Sequence, residues 1–174
     1  MAKKVKSSRS EVVKSNDKTE AARAVDKYNA AVASSELKSI MLTDVSFNVK
    51  PDFFSQDLEK QKLVSNIEQS EPLHEEGEDI GVSFVEFKVS SREGRKQNLV
   101  CKARYAVIYG GFSQCNAKEV KHFLSRVGTF ACYPYFRSLF ANLNWSANVE
   151  LPPLPVLKES VVPRQNKKSD EANE

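Results

Sequence analysis

The chain has 174 residues, a net charge of +3 and a mean hydropathy of −0.48. That length suits one domain rather than two, and no stretch supplies the roughly eighteen consecutive apolar residues of a membrane-spanning helix. The basic excess is local. Residues 1–35 carry eight Lys/Arg against four Asp/Glu, residues 36–160 fifteen against sixteen, and residues 161–174 three against three. A nucleic-acid-binding domain would hold that excess on its own folded surface, so this composition argues against one.

The basic start is followed by no apolar segment, so no signal peptide is expected. Cys101, Cys115 and Cys132 are an odd number and lack C-x-x-C spacing. That usage fits a reduced, cytoplasmic protein. Residues 1–16 and 161–174 have almost no large apolar side chains and read as solvated arms. The expected organisation is a basic arm with a helix over 1–35, a folded domain over 36–160, and a disordered tail over 161–174.

Asp17 to Ser34 is rich in Ala, with Val25, Tyr28 and Val32 at three-to-four spacing. It predicts a helix whose thin apolar stripe needs a partner surface. Met41, Val45, Phe47 and Val49 then alternate with Leu42, Asp44, Ser46 and Asn48, as in a half-buried strand closed by Pro51. Leu58 to Ile67 fits a strand better than a short helix. Glu68 to Asp79 holds six acids with Pro72 and Gly77, and reads as an exposed loop.

Ile80 to Val89 is a strand whose alternation slips between Phe84 and Val85, which suggests a bulge. Ser90 to Gln97, containing Gly94, reads as a hairpin loop. Leu99 to Tyr109 is the clearest strand: its odd positions are apolar, while Lys102 and Arg104 point the other way. Asn116 and Glu119 form a variant capping box. Val120, Phe123, Leu124 and Val127 share one helix face, and Gly128 is placed to end that helix. A further helix is expected from Tyr133-Pro134 to Asn148, stopped before Leu151-Pro152-Pro153. Strands followed by helices argue for an α+β fold.

No catalytic constellation stands out. Cys132 and His122, ten residues apart, would make a thiol–imidazole pair only if brought together. A buried thiol and a helix-surface His is the simpler reading. Gly110-Gly111 lacks the spacing and Lys of a phosphate loop. His74 sits among acids without a second close His or Cys, so no metal is expected. The apolar content points elsewhere. Phe136, Leu139, Phe140, Leu143 and Ala147 suffice for the last helix's inner stripe. Tyr133, Tyr135, Trp145, Leu151, Leu154 and Val156 exceed that need. Such a surplus marks an oligomer interface, an apolar groove, or both.

Several of these segments are similar to the protein-export chaperone SecB. They are Leu42-Thr43-Asp44-Val45-Ser46-Phe47, Leu99-Val100-Cys101, Tyr109-Gly110-Gly111-Phe112, Gly128-Thr129-Phe130 with Tyr133-Pro134-Tyr135-Phe136-Arg137, and Leu151-Pro152-Pro153-Leu154-Pro155. They occur in the same order and at similar spacing, over about Ser39 to Lys158. The Tyr-Pro-Tyr-x-Arg run with the Pro-rich segment is the most specific part.

The resemblance implies a four-stranded antiparallel sheet with helices on one side. It also implies a homotetramer built as a dimer of dimers, and apolar grooves that hold unfolded client polypeptide. Phe47, Phe84, Phe87, Tyr105, Tyr109, Tyr133, Phe140 and Leu154 are the groove candidates. Holding would be passive, without ATP or any cofactor, through many weak contacts summed along one client. SecB proteins dock the export ATPase SecA through carboxylates on the solvent face of the sheet. Asp44 matches the first of these positions, but Asn48 stands at the second and Lys102 reverses the charge at the third. Those departures argue against SecA. With the extra N-terminal arm, they resemble the SecB-like solitary chaperones of toxin–antitoxin operons, which protect an antitoxin. The alternative is a non-enzymatic adaptor whose basic arm binds nucleic acid or a membrane surface.

Overall fold

The structure is a computed structural model and describes residues 23, 25–55, 61–94 and 96–158. The basic arm up to residue 22, with the first part of the predicted Asp17–Ser34 helix, lies outside the described residues, as does the tail from residue 159.

Helix α1 covers residues 25–34. It is followed by strand β1 (Glu36–Val49), a 3-10 turn (Pro51–Ser55), β2 (Lys62–Gln69), β3 (Gly81–Glu93), β4 (Lys96–Gly110) and helix α2 (Ala117–Ser146). The strands form one antiparallel sheet in the order β1-β4-β3-β2. This is the α+β architecture expected from the sequence. No helix among the described residues is long and apolar enough to cross a membrane.

α2 covers one face of the sheet. On that face lie the odd-numbered residues of β3 and β4, including Val85, Phe87, Val89, Leu99, Cys101, Ala103, Tyr105 and Val107, all buried. They meet Val120, Phe123, Leu124, Cys132, Phe136 and Phe140 of α2. At the centre, Phe87 stacks on Phe136 with ring centroids 4.8 Å apart and planes 11° from parallel. α1 reaches this core through Ala31, which is fully buried. Its Tyr28 packs on His122 of α2, but Val25 and Val32 of the predicted stripe stay 57% and 43% exposed, so only part of that stripe finds a partner surface among the described residues.

Four local expectations are corrected. The slip at Phe84–Val85 is not a bulge, because β3 stays in register with β2 and β4 there. Val82 and Phe84 point to the outer face and Val85 to the helix side, so both faces of the strand are apolar at that point. The irregularity lies in β1 instead, at Lys38 and Thr43. The extra residue at Thr43, whose hydroxyl donates to the Arg104 carbonyl, flips the strand. Met41 therefore shares the outer face with Asp44, and Leu42 shares the helix face with Val45. The β3–β4 connection is tighter than the predicted Ser90–Gln97 loop, since both strands run on to Glu93 and Lys96. Gly94, at φ 57°, supplies the left-handed turn.

The fourth correction concerns α2, which runs unbroken through Gly128 and Pro134. Gly128 does not end a helix. It lets the helix press on β3, where a Cβ would overlap the Ser83 side chain. Pro134 has no N–H to donate to the Phe130 carbonyl, a defect of about 3 kcal/mol in a helix interior. Burying Phe136 and Phe140 contributes about 1.5–3 kcal/mol each. The packing that one continuous helix provides is therefore enough to offset the proline.

Candidate functional site

The Asn116 side chain accepts from the Lys118 N–H at 3.1 Å and so starts α2 as predicted. At the far end Asn148 adopts φ 54°, a left-handed conformation that Asn tolerates. The Val149 N–H then closes on the Asn144 carbonyl at 2.9 Å. This turn sends the chain back along the domain as an extended strap. Val149 and Leu154 are buried anchors of that strap. Tyr133, near the middle of α2, donates its hydroxyl to the Pro155 carbonyl at 2.6 Å and fastens it. Partial burial raises the Tyr133 phenol above its ordinary range, so it stays a donor at neutral pH.

Between the strap and β2 lies an apolar cavity of about 110 Å³. Ile67, Phe87, Tyr133, Phe136 and Leu154 form its walls, and Val156 stands at its rim, 64% exposed. A dry apolar cavity of this order admits a single aromatic ring. Among the described residues β2 is an edge strand paired only with β3, so its outer backbone groups beside the cavity have no described ladder partner.

The predicted groove residues fall into three groups. Phe87, Tyr133 and Leu154 come together around the cavity. Tyr105 and Tyr109 beneath α2 and Phe140 on its sheet-facing side are buried in the core, with Phe47 half-buried on its β1 edge. Phe84 faces away from all of them, on the outer side of the sheet. Asp44 is also on that side, opposite Arg104 in the register. Ile67 was missed, and Val156 was counted in the apolar surplus but not among the groove candidates. Ile67 carried only a weak strand signal, and Val156 lies on a strap whose path depends on the Asn148 turn.

Cys132 and His122 are not brought together. Ten residues of helix separate them by about 15 Å, and His122 is exposed. Burial pushes the Cys132 thiol up to about 12 and the Cys101 thiol to about 11. Cys132 donates to the Gly128 carbonyl at 3.0 Å, as a packed, neutral thiol does. His74 is buried too, its Nδ1 3.1 Å from the Ile80 carbonyl and its ring edge-on to Phe112.

No protein-family model matches the chain, and neither does any curated protein sequence. Among solved structures, the chain is similar to a Mycobacterium tuberculosis SecB-like chaperone in complex with a ChAD peptide from the HigA1 antitoxin. The TM-score is 0.63 at 14% sequence identity, and the match covers 78% of this chain and 99% of that one. At that identity the likeness speaks for the fold: this chain has the fold of a SecB-like chaperone.

Proposed function

We propose that the protein is an ATP-independent holdase, which keeps an unfolded polypeptide soluble by holding its apolar side chains. The observation that carries this reading is the cavity between β2, α2 and the strap. It is apolar, open at Val156, and sized for one large side chain at a time. A single such contact is weak. An extended client becomes tightly held only when several sites act on it together, and this favours an oligomer. Apolar side chains left uncovered at Leu42 and Val45 of β1, and at Phe130, Tyr135 and Trp145 of α2, support assembly into a homotetramer, and the free cysteines fit a reduced cytoplasm.

A dedicated client, such as an antitoxin, is the finer reading. It is motivated by the M. tuberculosis structure and its antitoxin peptide. Delivery to SecA is not part of this reading. Asp44 is the one matching carboxylate, and it lies opposite Arg104, whose guanidinium already bonds Glu86 at 2.9 Å.

The test is the aggregation of a chemically unfolded client, followed by light scattering without nucleotide. Suppression by the wild-type chain, and its loss in Val156→Glu, is the expected result. No suppression at several-fold molar excess would overturn the reading.

A further inference from the structure

The outer face of the sheet, opposite α2, carries a pattern that the cavity does not use. Pairing places residues in rows across the strands, and directly paired residues point to the same side. One row reads Val82–Ile108–Ser39, with Leu73 bridged onto Val82. The next reads Phe84–Ala106–Met41. Together they make an apolar end of which Leu73 is 59% and Met41 44% exposed. The third row is Glu68–Glu86–Arg104–Asp44, and the fourth Asn66–Lys88–Lys102–Ser46. At the open end Lys62 stands opposite Arg92.

The acidic row contains its own base, Arg104, whereas the lysine row contains no acid. Glu86 accepts from Arg104 at 2.9 Å and Glu68 from Asn66 at 2.7 Å. Lys88 and Lys102 face each other across the β3–β4 ladder, and neither makes an ion pair with a described residue. Like charges directly opposed in a sheet are unfavourable. They stay so until an anion lies between them. Four residues of strand separate Phe84 from Lys88, about 13 Å at the usual rise.

We propose that this outer face docks an acidic segment of a second protein, one with apolar residues at one end and carboxylates about 13 Å further along. The apolar end would seat on Phe84 and Met41, and the carboxylates would fall between Lys88 and Lys102. Charge selects this occupant. Residues 1–22 of the chain are themselves basic, and residues 159–174, with four acids against three bases, carry a net charge of only −1. The site lies on the side of the sheet away from the cavity, so it leaves the client pocket free.

The experiment uses the full chain and a short fluorescein-labelled peptide with a Phe-Leu pair, a spacer and a run of Glu, read by anisotropy. A matched peptide with Lys in place of Glu is the control. The Glu peptide is expected to bind, and to weaken at least about tenfold when ionic strength rises from about 0.05 to 0.5 M. Lys88→Glu/Lys102→Glu should weaken it by a similar factor and confer binding of the Lys peptide, a gain that a misfolded variant would not show. Val156→Glu, which blocks the cavity, should leave it unchanged, so failure here is separable from failure of the holdase reading. Equal binding of both peptides, loss in Val156→Glu, or indifference to the lysine changes would overturn the proposal. So would a change in oligomer size in Lys102→Glu by light scattering, which would make the face a contact between copies.

Discussion

Phe84 and Phe87 are three residues apart on one strand and live in different environments. Phe87 is 1% exposed, stacked on Phe136 and edge-on to Tyr105. Phe84, on the other face, is only half-buried, beside Ala106 and near Met41. The helix-covered face is a packed interior. The outer face has apolar rows, a row of acids around Arg104 and two lysines without a described ion pair, with no described element lying over it. The same residue type therefore signals stability on one side and surface chemistry on the other.

The largest expected effect tests that difference directly. Phe87→Ala should lower the free energy of unfolding by about 3–5 kcal/mol, because it opens a cavity at the centre of the aromatic cluster. Phe84→Ala should lower it by about 1 kcal/mol, the share of a half-buried ring. Denaturant unfolding of both variants measures the ratio. Equal losses would mean that the outer face is covered in solution, most simply by another copy.

Gly128→Ala comes next, at about 1–3 kcal/mol. In an exposed helix the same change would stabilise by up to about 1 kcal/mol, since Ala is the better helix former. Here the new methyl would meet Ser83, whose hydroxyl already accepts from Gln69 at 2.8 Å. A destabilised Gly128→Ala variant that Ser83→Ala partly rescues would establish close approach as the reason for the glycine. A stabilised variant would mean that α2 sits further from β3.

These residues also show how far the sequence could be read. β4 was legible because its helix-side positions alternate cleanly, and β3 because it is rich in β-formers. The start of α2 was legible because Asn116 is a strong cap. The break expected at Gly128 was wrong because glycine has two uses. Freedom at a helix end and room for a close neighbour leave the same letter, and only Ser83 across the gap separates them. The slip at Phe84 was misread for a related reason: a strand apolar on both faces loses its period without changing its register. The site was half legible. Tyr133 and Leu154 stood out by type and by their proline-rich surroundings. Phe84, Tyr105, Tyr109 and Phe140 carried the same aromatic or apolar signal, and only the third dimension divides outer face and core from cavity wall.

Alkaline pH probes the covered face through its buried thiols, with an effect that grows across the window. The unfolded thiols titrate near 9, while burial raises Cys101 to about 11 and Cys132 to about 12. The folded state therefore binds protons more tightly. Its stability is fully present below pH 9 and falls as pH rises toward 11 and 12. The slope within that window is about 1.4 kcal/mol per pH unit per thiol. Tyr105, raised to about 12 by burial, steepens it above pH 10. Urea midpoints at about pH 8, 9.5 and 10.5 should decline in that order. Cys132→Ala should reduce the slope without abolishing it. An unchanged slope would mean that Cys132 is open to solvent.

The smallest effect belongs to the outer face. Arg104 is 55% and Glu86 24% exposed at the side chain, so water screens their 2.9 Å pair. Arg104→Ala should cost about 0.2–1 kcal/mol, the range of a surface ion pair. Its sensitivity to salt is more telling than its size. Arg104 stands between Asp44 and Glu86, with Glu68 one strand beyond, so its removal leaves three carboxylates in one row. Their repulsion is largest at low ionic strength and fades as the Debye length shrinks from about 30 Å at 0.01 M to about 3 Å at 1 M. The deficit of Arg104→Ala should therefore close as salt is added, whereas that of Phe87→Ala should persist. A deficit above about 2 kcal/mol that salt does not relieve would make Arg104 part of a desolvated network, and the outer face would then be an interior that the single chain leaves uncovered.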